Sequence, residues 1–102
     1  MASSKEYLDW IMESFDNTDV SYRPMMGEYL LYYRGKLFGG VYDDRLLVKV
    51  TKSAETILFS APRAIPNEGA KEMLLVEDIE DREMLRALLD ALYVDLPAPK
   101  NK

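Results

Sequence analysis

The chain has 102 residues, 48% of them hydrophobic and 30% charged, with a formal net charge of −5 and neither cysteine nor histidine. Cys/His zinc sites, thiolate nucleophiles, Ser-His-Asp triads and disulfides each need a side chain that is absent, and no group with an ordinary pKa near 7 remains. The length is that of one domain, no apolar run approaches the ~18 residues of a membrane span, and Met1–Glu6 lacks the basic-then-apolar pattern of a secretory signal, so the expected compartment is the cytoplasm.

Ser3 and Glu6 have the spacing of a capping box, in which hydroxyl and carboxylate satisfy orphan backbone N–H groups at a helix start. The spacing predicts a helix over Ser4–Asp16, with Tyr7, Leu8, Ile11, Met12 and Phe15 on one face, stopped by the Asp16-Asn17-Thr18-Asp19 cluster. From Val20 to Val50 the rhythm turns to short β-rich runs, predicting strands over Val20–Met26, Glu28–Tyr33, Leu37–Tyr42 and Arg45–Val50. Pro24 lacks an N–H and favours an edge or a bulge. Arg34-Gly35-Lys36 and Asp43-Asp44 supply turns, so the hairpin-linked strands form an antiparallel meander. In the last of them Leu46, Val48 and Val50 share one face and Arg45 and Lys49 the other. Gly39-Gly40 inside a strand marks a bend or a close approach, with a ligand seat as the lesser alternative.

Thr51–Ala61 fits either a short helix around Ala54, Ile57 and Leu58 or a strand at Thr56–Phe59, and Pro62, Pro66 and Gly69 place a loop after it. Lys71–Glu77 carries the strand-like run Met73-Leu74-Leu75-Val76. Asp78 reads as the N-cap of a helix over Ile79–Tyr93, with acids in its first turn and a Leu85, Leu88, Leu89, Leu92 stripe.

Residues 21–52 hold six bases (Arg23, Arg34, Lys36, Arg45, Lys49, Lys52) against Glu28, Asp43 and Asp44, a local balance of +3. Interleaved with Tyr22, Tyr29, Tyr32, Tyr33 and Tyr42, they have the composition of a nucleic-acid platform, where cations meet phosphates and rings stack on bases. The simpler reading is that most of the rings fill a buried sheet face and the cations keep an edge soluble. The candidate interaction surface is Arg23, Arg34, Lys36, Arg45 and Lys49. No metal or cofactor is expected: the acids of residues 77–83 suit a helix dipole, Asp43 and Asp44 diverge in a turn, and Gly35-Lys36 lacks the spaced glycines of a phosphate loop.

The continuous run from Arg23 to Lys49 resembles the core signature of the TfoX/Sxy N-terminal domain family. The matching features are Arg23, the Met25-Met26-Gly27 turn, the Tyr29–Tyr33 strand, Gly35-Lys36, Phe38-Gly39, Asp43-Asp44-Arg45-Leu46 and Lys49. With the flanking elements the resemblance covers residues 1–97 and leaves 98–102 as a flexible tail. It implies an α+β fold in which an antiparallel meander sheet is packed by an N-terminal and a C-terminal helix. It also implies kinship with regulators of bacterial competence that act with a cyclic-AMP-responsive transcription activator and carry a second, C-terminal helical domain, so this chain resembles a stand-alone N-terminal module. The expected function is a non-enzymatic, cytoplasmic module, monomer or homodimer, that binds a protein partner and no membrane. A nucleic-acid-binding module is the alternative, and an enzyme built on tyrosine, lysine or a shifted carboxylate is the third.

Overall fold

The computed structural model describes residues 3–66 and 68–97; the tail expected over 98–102 lies outside the described residues. The described residues form, in chain order, α1 (Lys5–Ser14), β1 (Val20–Met25), β2 (Glu28–Tyr33), β3 (Lys36–Val41), β4 (Leu46–Val48), α2 (Lys52–Ile57), β5 (Arg63–Ala64), β6 (Met73–Val76) and α3 (Arg82–Asp95). The strands make one antiparallel sheet in the order β1-β2-β3-β4-β6-β5. This is the α+β architecture that the element order implied.

The first helix is capped one residue later than the spacing suggested. Ser4, not Ser3, is the N-cap, its Oγ accepting from the Tyr7 amide at 3.1 Å. Ser3 is buried instead: its amide donates to the Gly27 carbonyl (3.0 Å), its hydroxyl donates to Glu28 Oε1 (2.7 Å), and its Oγ accepts from the Asp44 amide (3.1 Å). Two adjacent serines offer the same cap locally, and the polar atoms of the neighbouring hairpin turns decide between them.

The turns Met26-Gly27, Arg34-Gly35 and Asp43-Asp44 each hold two consecutive positive φ values, between 51° and 86°, the type I′ geometry whose twist matches that of the flanking strands. Gly27 and Gly35 take the second position without the clash a Cβ would bring. A register shift at Leu31/Tyr32, opposite Phe38, puts Phe38 and Val41 on the same side although they are three residues apart. Gly39 and Gly40 are explained by packing. A Cβ on Gly39 would overlap the Leu47 carbonyl oxygen and lie 2.9 Å from Val48 Cα; one on Gly40 would lie 2.6 Å from the Tyr29 carbonyl oxygen and 2.7 Å from the Tyr42 ring. The tyrosine ring therefore lies over Gly40, which occupies the place where a ligand seat was the alternative.

Pro24 sits on the edge strand β1, paired with Tyr29. Met25 and Glu28 close the two-residue turn as a hydrogen-bonded pair, so alternation turns the nitrogen of Pro24 away from β2, where a missing donor leaves the ladder intact.

All three helices cover one face. Leu8 and Ile11 of α1 and its C-cap Phe15, Ala54 of α2, and Leu85, Leu88, Leu89 and Leu92 of α3 enclose one core with Leu31, Phe38, Val41, Leu46, Val48, Leu74 and Val76 of the sheet. Each of these side chains larger than alanine contributes about 1.5–3 kcal/mol by leaving water. Phe15 and Phe38 meet edge to face at 5.9 Å.

The undecided stretch after β4 is a helix. Thr51 Oγ1 accepts from the Ala54 amide (3.1 Å), and Asp95, at the end of α3, accepts from the Ser53 amide (2.9 Å), so α2 has two caps, one of them from 42 residues away. Phe59, inside the alternative strand, lies exposed after the helix. The last helix begins at Arg82 rather than Ile79, with Asp81 rather than Asp78 as N-cap, its carboxylate accepting from the Met84 amide. The residues before it turn, the Asp81 amide donating to the Asp78 carbonyl, and this places Ile79 in the core. Burying that isoleucine outweighs starting the helix one turn sooner. β4 is also shorter than expected, Leu46–Val48.

Candidate interaction surface

Alternation along the strands divides the tyrosines. Tyr29 and Tyr33 lean on the helix-covered core, and Tyr22 meets Tyr29 edge to face at 5.8 Å on that side. Tyr32, with Leu30 on its own strand, Leu37 and Gly40 on β3, Leu47 on β4 and Leu75 on β6 face away from the helices. None of these five side-chain-bearing residues belongs to the core cluster that the helices enclose, although Leu47 among them is fully buried. Pro66 and residues 70–73 line a depression with Tyr42 and Lys49 at one end of this open face.

The five basic residues singled out from the sequence separate into two groups. Arg34 and Lys36 lie at the β2–β3 turn against the last helix. Lys36 Nζ donates to the carbonyls of Tyr93 (2.7 Å) and Leu96 (2.9 Å) and stands 4.0 Å over the Tyr93 ring. Those are orphan acceptors at a helix C-terminus, where the dipole favours a cation. Arg34 pairs with Asp19 at 3.1 Å and lies 5.0 Å from the centre of the Tyr33 ring. Both serve the protein's own architecture.

Arg23, Arg45 and Lys49 lie on the open side, by alternation with core-facing Leu46 and Val48 and by the pairing of Arg23 with Leu30. Arg45 Nε donates to the Tyr42 carbonyl at 3.2 Å, inside its own hairpin. Among the described residues the ion pairs are Lys5–Asp9, Arg34–Asp19 and Arg63–Glu55, which leaves Arg23 and Lys49 without a carboxylate partner there.

Two depressions flank this face. One, of about 240 Å³, is lined by Ser21, Arg23, Tyr32 and Gly35 together with Tyr22. The other, of about 430 Å³, is lined by Tyr42, Lys49, Val50, Pro66, Lys71 and Met73. Burial holds the Tyr42 phenol above its usual 10.0, with the Glu28 carboxylate and Tyr32 adding to the shift. It is therefore a neutral hydroxyl at neutral pH, a hydrogen-bonding ring rather than a base. Lys71, Val50 and Met73 escaped sequence reasoning because β6 joins β4 only through a non-local pairing, Leu47 with Leu75. A third cavity, about 290 Å³ between α3 and the β2–β3 turn, has its charges occupied: Arg34 holds Asp19, Arg86 donates to the Asp16 carbonyl, and the Tyr33 hydroxyl donates to Asp90.

No described helix is long and apolar enough to cross a membrane, and among the described residues no cluster of acids is arranged to hold a metal ion.

The fold defines a two-layer α+β protein with three helices on one face of its sheet and a tyrosine- and leucine-bearing face opposite. The chain belongs to the same family as an uncharacterized 12.7 kDa protein from the trpE 5′ region of Spirochaeta aurantia, with which it shares 34% identity over 77 residues, 74% of this chain and 67% of that protein. No family model matches the chain, and no solved structure matches it.

Proposed function

We propose that this chain is a TfoX/Sxy-like, non-enzymatic module that binds a protein partner through the open face of its sheet, in the service of transcription or competence regulation. The observation that carries the reading is the open face itself, where Leu30, Tyr32, Leu37 and Leu75 lie half-buried around a fully buried Leu47, while the opposite face carries the core that the helices enclose. The run from Arg23 to Lys49 supports the kinship, and the missing Cys and His support a binding role over a catalytic one. The test is a photo-cross-linking amino acid placed at Tyr32 and, separately, at exposed Glu13 on α1. A discrete adduct from position 32 and none from position 13 is expected; adducts only from the helix side overturn the reading. Loss of the identified partner should then change transcript levels of the genes it controls.

A second reading rests on the pairing of a ring with a cation in each depression, Arg23 with Tyr32 and Lys49 with Tyr42, which suits single-stranded nucleic acid. Labelled DNA and RNA titrated at low and moderate salt decide it: no affinity at low salt eliminates it, because phosphate contacts are strongest there.

A further inference from the structure

Resting on the partner-binding reading, we infer that the groove that Tyr42 and Lys49 form with Pro66 and residues 70–73 takes an acidic peptide segment of the partner, seating one aliphatic or aromatic side chain with carboxylates on either side. The groove, about 430 Å³, exceeds the depression at Arg23 and Tyr32, about 240 Å³, and falls in the range of sites that hold small ligands. Its wall is mixed in the manner of a peptide site. Val50, Met73, Pro66 and the face of Tyr42 supply apolar surface, while Lys49 and Lys71 are the cations that line it and Glu72 is its one acid.

Charge selects the occupant. The chain as a whole carries −5, so a groove with two lysines against one glutamate is opposite in sign to the whole chain, as is the meander that forms one of its walls, where residues 21–52 balance at +3. Among the described residues neither lysine has a carboxylate within ion-pair distance, in contrast to Arg34 and Arg63, which do. Like-charge repulsion from the acidic remainder disfavours a strongly anionic polymer across the whole surface. A short segment with a few carboxylates engages the two lysines locally. The Tyr42 ring is fixed over Gly40, so the apolar wall is formed before binding and little ordering is needed.

Peptides of randomised sequence, displayed on phage and selected on the intact chain, test the inference, with selected sequences then titrated as fluorescein-labelled peptides. Enrichment of Asp and Glu around one Leu, Ile, Phe or Trp is expected, with affinity falling about tenfold or more in the Lys49→Glu/Lys71→Glu variant. The neutral Lys49→Gln/Lys71→Gln pair should fall between the two, and circular dichroism of both variants should match the parent. Enrichment of basic or uncharged sequences overturns the inference, as does equal affinity in the charge-reversed variant. If peptides bind but only Arg23→Ala or Tyr32→Ala weakens them, the groove assignment fails and the open-face reading stands. If no sequence is enriched, both fail. An oligothymidylate that binds the groove and is lost in the charge-reversed variant assigns the lysines to nucleic acid and overturns the peptide proposal.

Discussion

The two faces of the sheet use the same residue types in opposite ways. On the covered side Lys36 reaches the last carbonyls of α3 and lies on the Tyr93 ring, and Tyr33 packs against the core. On the open side Lys49 and Tyr42 border a groove with no such partner among the described residues. Both lysines stand in the meander near a tyrosine, and the chain between them contains nothing that marks one as a fastener. The difference lies in what packs behind each one, and that is supplied by a helix about 57 residues further along. A basic, tyrosine-rich strand sequence is thus a statement about two surfaces, only one of which carries the helices.

The sharpest way to break the comparison is with neighbouring leucines. Leu31→Ala on the covered face should lower stability by about 2–5 kcal/mol, a buried side chain leaving a cavity, whereas half-buried Leu30→Ala should lose about 1 kcal/mol. Urea unfolding measures both, and equal losses would mean the open face is packed as tightly as the core. Next come the two lysines. Lys36→Met removes charge-assisted bonds to two helix-end carbonyls and should destabilise by about 1.5–3 kcal/mol, while Lys49→Met should stay within about 0.5 kcal/mol. A smaller effect, of opposite sign, is expected at Met26, which belongs to neither face. It is 94% exposed and holds φ at 52°, so Met26→Asn, the residue that type I′ turns favour beside glycine, should stabilise by about 0.5–1 kcal/mol.

The smallest effect concerns acid. The Ser53 amide and hydroxyl hold the Asp95 carboxyl below its ordinary 3.8. A depressed carboxyl contributes its stability in full above the unfolded value and loses it as the pH falls through the folded one. The parent should therefore lose more stability between neutral pH and about pH 3 than Asp95→Asn does, measured by denaturant midpoints. Identical acid limbs would remove this link between α2 and α3.

Much of the fold was legible because it is locally encoded. The strand run from Val20, the Glu28–Tyr33 strand, the Arg34-Gly35 and Asp43-Asp44 turns and the Leu85–Leu92 stripe each carry period or turn chemistry within a few residues. What escaped depends on distant atoms. Ser3 and Ser4 differ only in whether Glu28 and Asp44 are nearby, and Asp78 and Asp81 only in whether Ile79 reaches the core. The helix after β4 needed a cap from Asp95. For the candidate surface, alternation placed Arg45 and Lys49 opposite Leu46 and Val48, whereas the roles of Arg34 and Lys36 and the arrival of Lys71 beside Lys49 required the tertiary structure.

Pro24 also bears on how copies of this chain can meet. The outward-facing positions of β1 are Val20, Tyr22 and Pro24, so a second strand laid along this border finds amide donors at two of them and a proline ring at the third. At the opposite border β5 spans only Arg63–Ala64, too short to template a ladder. Neither margin supports an extended intermolecular sheet, and the chain is protected from stacking side by side into fibres. What the described borders leave for meeting another molecule is the side chains of the sheet's flat surface, which depend on sequence, rather than a row of main-chain donors and acceptors, which does not.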